Sequence, residues 1–523
     1  MPALFSKHFL AGFASAVSGA LLFLAFPIYD LGFLAYAGLV PLLLSMAGRK
    51  PAMSLFLSWI CGLVFFAGAF SWIYQVPGYN SVHHALIIPY LAMYFAVFGL
   101  AFSLVSRRLG IMAGLCAAPF VWVSLEYLRS NVGFVSLPWA LLGHSQYRYP
   151  LIIQIASFTG AYGVSFLIAL VNASFAGLLL KSWGLTRSSL QSAVLAVMAF
   201  LLVALAVGYG YVSVGKASLQ DSIRVSVIQA NVDQEMKNNP KKHAVSIMQK
   251  HIEMTHQVAK DNPKLIVWPE GATPGFVLKN MSLLNEITSL VRDKKTYFVL
   301  GSSEFPKFIR EASYGPEEFG NAALFFSPEG KVLGQYLKIR LVPFGEYIPY
   351  EKRFPWPRFI VPDEKKSFEV PGREFTLFQL EDDSICVLIC WEIVFPDLCR
   401  EFVKRGANLM LNISNEGWFG RSAAPYQLAA ISVFRAVENR ISMARAANTG
   451  VSCFIDPFGR ITGKVRNNGE DIFVEGHLTQ DVVLANKKTF YTRRGDLFAH
   501  ASLLLSGLLV AAVIPKRKRQ ACS

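Results

Sequence analysis

Glu270, Lys338 and Cys390 carry side chains that together could perform acyl transfer. A cysteine thiolate is a strong nucleophile and a good leaving group, which suits a reaction that passes through a thioester. A carboxylate can accept the thiol proton, and an ammonium group can act with backbone N–H groups to stabilise a tetrahedral oxyanion. The residue types therefore predict a nucleophile, a base and an oxyanion stabiliser.

Each of the three residues stands in a distinctive local context: Trp268–Glu270, Tyr336–Lys338 and Ile389–Glu392. Taken singly, each has a simpler interpretation, because a cysteine at a strand end is usually a small buried hydrophobe and a lone glutamate or lysine is usually solvated. Histidine is the alternative base, but the histidines of residues 216–494 stand beside no motif at a strand end; they are His243, His251, His256 and His477. The three contexts in one order favour a common site with Glu270 as its base.

The composition indicates a membrane protein. The chain has 523 residues, of which 53% are hydrophobic and 16% charged, whereas roughly 25% are charged in a soluble domain. The net charge of +15 could suggest nucleic acid, but the basic residues cluster at the ends of apolar runs, as in membrane proteins. The seven cysteines match no zinc pattern, so we expect no metal, no other cofactor and no nucleic-acid partner.

Eight apolar segments are long enough to cross a hydrocarbon core, which takes about 20 helical residues. They cover residues 8–27, 31–47, 53–74, 85–105, 110–128, 150–180, 190–213 and 496–514. Basic residues are concentrated at both termini and in every second loop: Lys7, Arg49, Lys50, Arg107, Arg108, Lys181, Arg187 and Lys516–Arg519. This pattern places those parts in the cytoplasm, so the long polar segment between the last two spans must lie outside it.

Three parts follow from this topology. Residues 1–215 form a membrane domain of seven transmembrane helices, 216–494 form an extracytoplasmic catalytic domain, and 495–523 hold the eighth helix and a basic cytoplasmic tail. In a cell with a bacterial envelope, the catalytic domain would face the periplasm from the inner membrane.

Within 216–494, hydrophobic patterns alternate between strands and helices. Strands are expected at 223–229, 265–268, 297–301, 322–326, 385–390 and 409–413, and helices at 240–259, 281–293 and 425–446. This alternation over about 270 residues predicts one sizeable α/β domain.

Polar and aromatic residues near the ends of the apolar segments also have structural interpretations. Four aromatic residues suit a belt at the membrane–water interface: Trp72, Tyr74, Trp139 and Tyr149. Glu126 lies three residues before Arg129 near the end of a span, so we expect the two to pair at the interface and to anchor structure rather than to catalyse.

Residues 340–370, which we call the arm, differ from the rest of the catalytic segment because they are dense in proline and aromatic residues. Prolines at this density exclude a continuous helix or an inner strand. The arm is either a surface excursion or a lid that contacts lipid, since long loops inside compact domains are usually functional or disordered.

The motif order resembles the nitrilase (carbon–nitrogen hydrolase) superfamily, and three further runs narrow the resemblance. Leu341–Pro349 follows the lysine, Ser414–Gly420 follows the cysteine, and Arg435–Arg440 closes a predicted helix. Together with eight spans, the chain is similar to the apolipoprotein N-acyltransferase family. That resemblance implies eight transmembrane helices beside an αββα sandwich, and a monomer in the bacterial inner membrane that completes lipoprotein maturation.

The resemblance also implies a ping-pong reaction. Cys390 would take an acyl chain from a phospholipid, typically phosphatidylethanolamine, and pass it to the α-amine of a diacylglyceryl-cysteine at an apolipoprotein N-terminus. Glu270 would be base and acid, and Lys338 would stabilise the oxyanion. Supporting or substrate-binding roles would fall to Glu346, Trp391, Glu392, Asn415, Trp418 and Phe419.

Three positions depart from the family pattern. Asn238 stands where a tryptophan is often found, Trp391 where tyrosine is common, and Tyr426 where a histidine is often seen. The pattern Gln-x-Asn near the first strand is met by Gln229–Asn231.

Two other functions compete with acyl transfer to an amine. A membrane-tethered nitrilase-like amidase would use the same three residues to hydrolyse a C–N bond, with water resolving the thioester. A non-enzymatic scaffold with a degenerate nitrilase fold would lack one of the three, but all are present.

Overall fold

A computed structural model describes residues 2–186, 189–215, 221–305, 319–362, 369–485 and 487–513. Arg187, residues 363–368 of the arm and the basic tail at 516–519 lie outside the described residues. We refer to residues 2–215 as the N-terminal helical region and to residues 221–485 as the α/β region.

The N-terminal helical region is built from apolar helices. Their bounds are α1 Pro2–Leu24, α2 Ala35–Gly38, α3 Val40–Met46, α4 Pro51–Ala69, α5 Ser81–Leu109, α6 Ile111–Asn131, α7 Pro150–Ile153, α8 Ala156–Thr159, α9 Ala161–Ser182 and α10 Ser189–Gly215. Among the described residues, five helices are long and apolar enough to cross a membrane: α4, α5, α6, α9 and the part of α10 from Leu190 to Val214. Three predicted spans, 8–27, 31–47 and 496–514, coincide with shorter apolar helices, so the eight-span arrangement stays a prediction.

The second predicted span is broken. A 3-10 turn at Gly32–Leu34 precedes α2, and α3 begins again after Leu39. Pro41 has no N–H to continue a helix. Asn172 on α9 satisfies the break, because its side chain accepts from the Leu39 N–H at 2.8 Å and donates to the Ala35 carbonyl at 2.8 Å.

The sixth span also differs from the prediction of 150–180. Two single-turn helices, α7 and α8, precede the continuous helix α9, which begins at Ala161. Gly160 separates α8 from α9 with a φ of 65°, a left-handed conformation that favours glycine.

The α/β region contains two six-stranded sheets within its described residues. Its strands are β1 Ser222–Gln229, β2 Leu265–Val267, β3 Tyr297–Glu304, β4 Gly320–Phe326, β5 Val332–Leu337, β6 Phe378–Leu380, β7 Asp383–Ile389, β8 Leu409–Ser414, β9 Ser442–Ala447, β10 Cys453–Ile455, β11 Ile461–Lys464 and β12 Gly476–Val483. The first sheet has the order β12-β1-β2-β3-β4-β5 and the second β11-β10-β9-β8-β7-β6. Its helices are α11 Gln234–Asn238, α12 Pro240–Val258, α13 Met281–Lys294, α14 Pro396–Lys404 and α15 Ala424–Asn439. Two further helices follow the α/β region, α16 Phe490–Arg494 and α17 Leu497–Val513.

The two sheets stack between two layers of helices. One face of the first sheet shares a buried apolar cluster with α12 and α13, which includes Trp268, Ile287 and Phe298. The other face packs on the second sheet, where β1 contacts β9 and β4 contacts β7, and α14 and α15 pack against the second sheet. The resulting helix–sheet–sheet–helix order agrees with the fold that the family resemblance implies.

The helix predicted at 425–446 is wrong in its last part. Helix α15 ends at Asn439, and Arg440 adopts a left-handed φ of 51°. Ser442–Ala447 form the buried central strand β9, paired between β8 and β10. The alanine-rich segment has helical propensity, but its pairing inside the sheet overrides that weak preference.

Helix α15 joins the α/β region to the N-terminal helical region through Gln427. Its side-chain oxygen accepts hydrogen bonds from the indole N–H groups of Trp72 at 3.1 Å and Trp139 at 2.8 Å. Its nitrogen donates to the carbonyl of Ala69 at 3.0 Å. The prediction that these two tryptophans belong to an interfacial belt is therefore wrong, because both are buried in this junction; Tyr74 and Tyr149 are exposed.

Glu126 and Arg129, predicted to pair near the end of the fifth span, form no direct ion pair with each other and instead bind the adjoining loop. Glu126 accepts from the backbone N–H of Leu142 at 2.6 Å, and Arg129 donates to the carbonyls of Leu137 and Trp139 at 2.8 and 2.7 Å. Both side chains bind the loop that carries Trp139, which agrees with an anchoring role rather than a catalytic one.

Candidate active site

Cys390 stands at a sharp turn where β7 leaves the second sheet. It is the first residue of a 3-10 helix, Cys390–Val394, and has a φ of 55°. A left-handed conformation in a residue other than glycine costs of order 1–3 kcal/mol and is frequent at active sites. This turn places the thiol at the carboxyl end of β7.

Glu270 follows the short strand β2 of the first sheet and is fixed by two hydrogen bonds. Its Oε1 accepts from the Asn321 side chain at 2.5 Å, and its Oε2 accepts from the Asn415 backbone N–H at 2.6 Å. Gly301 on the neighbouring strand allows this approach, because a Cβ there would lie 2.6 Å from the Cα of Glu270. The carboxylate is therefore buried, and both of its oxygens are held in a fixed orientation.

Lys338 follows β5 and is completely buried between two carboxylates. Its Nζ lies 2.5 Å from Glu346 Oε1 and 3.8 Å from Glu270 Oε1. Burial opposes the charged form, but Glu346, Glu270 and the nearby Cys390 outweigh burial and raise the pKa of Lys338 well above its usual value. The raised pKa favours the ammonium form of Lys338 beside Cys390.

The Cys390 sulfur is a thiol at neutral pH. Burial and the Glu270 carboxylate raise the pKa of Cys390 to about 12, although Lys338 favours the thiolate. A base must therefore take the proton before the sulfur can attack. Glu270 faces both Cys390 and Lys338, so the three predicted residues are brought together in one buried cluster.

The contacts of Glu392 connect two segments of the site. Its carboxylate accepts from the Tyr336 hydroxyl at 2.9 Å and from the backbone N–H groups of Ile339 at 2.7 Å and Ile389 at 2.8 Å. Burial raises the pKa of Glu392 to about 7 despite these bonds. The residue ties the end of β5, which carries the lysine, to the turn that carries the cysteine.

The remaining predicted residues lie around this cluster. Trp391 donates its indole N–H to the Arg340 carbonyl at 2.6 Å and packs edge-on against Phe395. Trp418 is 40% exposed, whereas Phe419 packs against Trp72 at a ring distance of 5.1 Å.

Like Trp391, the other two departures from the family pattern make polar contacts. Asn238 is exposed and accepts from Gln234 at 2.9 Å, and Gln234 accepts in turn from the Asn415 side chain at 3.0 Å. Tyr426 donates to Asp471 at 2.7 Å. Asn238 is therefore linked to the site through two hydrogen bonds.

The described part of the arm rests on the N-terminal helical region. Phe134, in the 3-10 turn after α6, contacts three arm residues, Phe344, Tyr350 and Trp356, at ring distances of 5.6–6.3 Å. Phe354 packs on Trp356 and is 49% exposed. Glu346, in the same segment, points inward and contacts Lys338. The arm therefore connects the candidate active site to the N-terminal helical region.

Three residues near the site stand in no sequence motif that would have predicted their position there. Asn321 orients Glu270, and Lys237 donates to the Glu270 backbone carbonyl at 3.0 Å. Burial lowers the pKa of Lys237 to about 8. Glu369, at the end of the arm, faces Glu346, Lys338 and Glu270. Each approaches from a separate segment, so no local motif identifies them.

The sandwich and its buried cysteine, lysine and glutamate define a protein of the carbon–nitrogen hydrolase class. A family model for carbon-nitrogen hydrolases matches residues 224–482, and one for the apolipoprotein N-acyltransferase N-terminal domain matches residues 18–174. The chain belongs to the apolipoprotein N-acyltransferase family and is an acyltransferase of the nitrilase superfamily.

Relatives of nearly equal length support this assignment. An apolipoprotein N-acyltransferase of Geobacter metallireducens is 35% identical over 97% of this chain and 95% of its own length. One of Chlorobaculum tepidum is 32% identical over 99% and 98%. A solved amidase of Nesterenkonia, from the nitrilase superfamily, aligns with 19% identity over 55% of this chain and 99% of its own, with a TM-score of 0.39; the assignment does not depend on it.

Proposed function

We propose that this chain transfers an acyl chain from a membrane phospholipid to the α-amine of the diacylglyceryl-cysteine at an apolipoprotein N-terminus. The donor would be phosphatidylethanolamine, and the reaction would pass through a thioester on Cys390. The observation that carries the proposal is the buried cluster of Cys390, Glu270 and Lys338, in which a thiol faces both a carboxylate and an ammonium.

In the first half-reaction, Glu270 takes the thiol proton as the sulfur of Cys390 attacks the ester carbonyl. Lys338 stabilises the oxyanion, because a fixed cation in a buried site favours the developing negative charge. Glu270 then gives its proton to the leaving lysophospholipid oxygen. The acyl chain remains on the sulfur as a thioester.

In the second half-reaction, the lipoprotein amine attacks the thioester, and Glu270 takes a proton from the attacking nitrogen and passes it to the departing thiolate. Three arm aromatics, Phe344, Tyr347 and Phe354, would contact acyl chains or gate their access. The half-exposed ring of Phe354 and the contact between Phe344 and Phe134 support this position for the arm. All reacting groups come from one chain, so we propose a monomer as the active unit.

The placement in the membrane belongs to the same proposal. Residues 1–215 would supply seven spans and 495–523 the eighth, so that 216–494 face the periplasm from the inner membrane. The alternation of basic loops supports this orientation, and the five long apolar helices support a multi-pass chain. A lipid donor stays in the bilayer, so a site attached to such helices can reach it.

The test is incubation of the purified protein with phospholipid and no amine, followed by mass spectrometry of its peptides. We expect an acyl group on Cys390 that hydroxylamine removes, since a thioester is labile to it and an amide is not. Cys390→Ala should abolish the adduct, whereas Cys386→Ala and Cys399→Ala should keep it. An adduct on another cysteine would refute the assignment.

The amidase alternative differs from acyl transfer in the molecule that resolves the thioester, which is water for an amidase and an amine for an acyltransferase. If water resolves it, phospholipid turnover will proceed without any amine acceptor. If the proposal holds, lysophospholipid release will stop after one equivalent until a diacylglyceryl-cysteine peptide is added.

A further inference from the structure

Four glutamates interact electrostatically with Lys338, but only one of them has a buried oxygen without a partner among the described residues. The oxygens of Glu270, Glu346 and Glu392 all accept hydrogen bonds from the protein. Oε2 of Glu369, in contrast, is buried and accepts no hydrogen bond. A buried carboxyl oxygen without a donor costs free energy, so this group invites a functional explanation.

The backbone around Glu369 is held in place on both sides. Its N–H donates to the Glu346 carbonyl at 3.3 Å, and the next residue, Val370, donates to Phe319 at 2.9 Å. Gly372 donates to the carbonyl of Lys338 at 2.7 Å. The segment therefore lies along the lysine, and the charged groups that act on Glu369 within the described residues are Glu346, Lys338 and Glu270.

The second half-reaction leaves one proton without a described acceptor. The lipoprotein α-amine has a pKa of about 7.7–8.0, so at neutral pH it arrives largely as an ammonium. To become the amide, R–NH₃⁺ must first lose a proton; the resulting R–NH₂ attacks the thioester, an N–C bond forms, the C–S bond breaks, and a second proton leaves the nitrogen. One returns to the sulfur through Glu270; the other must reach a second base before the nitrogen can attack.

We propose that Glu369 is this second base: it takes the surplus proton of the incoming lipoprotein ammonium and releases it to solvent after the amide has formed. The role rests on the proposed function. The two protons of the acceptor nitrogen then go to two carboxylates. Glu369 takes one before the attack, and Glu270 takes the other as the tetrahedral intermediate collapses. No oxidant, reductant or further reactant is needed.

The acidity of Glu369 suits this role. Burial and the carboxylate of Glu346 raise the pKa of Glu369 to about 8, although Lys338 opposes the rise. At pH 7 about a tenth of Glu369 is therefore carboxylate. Because its pKa is close to that of an α-ammonium, this carboxylate can take the ammonium proton with little change in free energy, and its share rises as the pH approaches 8. The side chain is partly exposed, so the proton can leave to solvent.

The experiment separates the two half-reactions in the full-length protein. Wild type, Glu369→Gln and a matched control, Glu374→Gln, are loaded with phospholipid, and the Cys390 thioester is followed by mass spectrometry. Glu374 is exposed and lies five residues further along the same segment. Each loaded protein then receives either a diacylglyceryl-cysteine peptide, whose amine is an ammonium, or hydroxylamine, which is unprotonated at neutral pH.

We expect Glu369→Gln to load normally and to react normally with hydroxylamine, but to transfer to the peptide at least about tenfold more slowly. Glu374→Gln should match wild type in all three steps. Peptide transfer at the wild-type rate would overturn the role of Glu369, as would equal slowing of all three steps, which is what a structural defect produces. If wild type forms no thioester on Cys390, the proposed function itself fails, and the role of Glu369 fails with it.

Discussion

Removing the buried ammonium while leaving its carboxylates should destabilise the α/β region strongly. In Lys338→Met the side chain keeps most of its volume but loses its charge. Glu346, 2.5 Å from the lost Nζ, and Glu270, 3.8 Å from it, then remain buried without their cation. Val342, Asn321 and Asn415 still donate hydrogen bonds to them, but none carries a charge.

The magnitude follows from these distances. At an effective dielectric of about 20, opposite charges about 4 Å apart attract by roughly 4 kcal/mol. The cost of burying the lysine offsets part of that attraction, and breaking a buried pair by removing one partner typically costs about 3–5 kcal/mol. In a domain of this size each kcal/mol lowers the melting temperature by about 2 °C, so we expect a fall of about 6–10 °C.

The assay compares thermal unfolding and acyl transfer in three variants. Lys338→Met/Glu346→Gln removes the unpaired carboxylate as well as the cation, and should regain more than half of the lost stability. Neither Lys338→Met nor the double variant should form the thioester on Cys390. Lys264→Met is the matched control, because Lys264 pairs with Glu381 in a contact where the two side chains are 34% and 60% exposed; such pairs contribute about 0–1 kcal/mol.

The pH dependence provides a second check on the same reasoning. Without Lys338, the folded-state pKa of Glu346 lies further above its unfolded value. The folded variant then holds a proton that the unfolded chain releases, so its deficit relative to wild type should shrink as the pH falls and grow as the pH rises. Equal losses in the single and double variants, or a loss no larger than that of Lys264→Met, would refute the account.

Four further outcomes are expected. Glu270→Gln keeps the size of the side chain but removes the base, so formation of the Cys390 thioester should slow by about 10²–10⁴-fold; an unchanged rate by mass spectrometry would contradict the assignment. Alanine replacements of the three arm aromatics should slow acyl transfer more than they lower the melting temperature, and proportionate losses would mean that the arm is only structural. A reporter active only outside the cytoplasm should be active when fused after residue 300 and silent after Arg108 or Lys518, whereas the reverse pattern would refute the topology. Because the folded protein holds the proton of Glu369 up to a pKa of about 8 while the unfolded chain releases it near 4.5, wild type should lose stability relative to Glu369→Gln as pH rises between these values; parallel melting curves would contradict this.

Local patterns were sufficient to predict the elements whose own periodicity or context is strong. The helix predicted at 240–259 is α12, Pro240–Val258, and the strands around Glu270 and Cys390 lie within a few residues of their predicted bounds. The cysteine, lysine and glutamate that meet in the buried cluster could be selected as candidates because each follows a strand in a distinctive run of neighbours. The nitrilase-like fold and the family assignment are confirmed.

What could not be predicted depends on contacts between distant segments. Ser442–Ala447 has the composition of a helix, and only its place between two partner strands makes it β9. Asn321 reaches the site from β4 and Glu369 from the end of the arm, where nothing in their neighbours indicates chemistry. Trp72 is an aromatic residue at the end of an apolar segment, which is typical of the membrane interface. In the structure its indole N–H donates to Gln427, 355 positions later in the chain.

That glutamine limits how the molecule can move. Both hydrogen-bonding atoms of the Gln427 amide are used within the junction, by two indole donors and by backbone carbonyls that include Ala69. Glu438, on the same helix, also accepts from the N–H of Ala161 at 3.0 Å. Rocking one half against the other would break all of these bonds together in a place that water does not reach. These hydrogen bonds therefore oppose rocking of the N-terminal helical region against the α/β region.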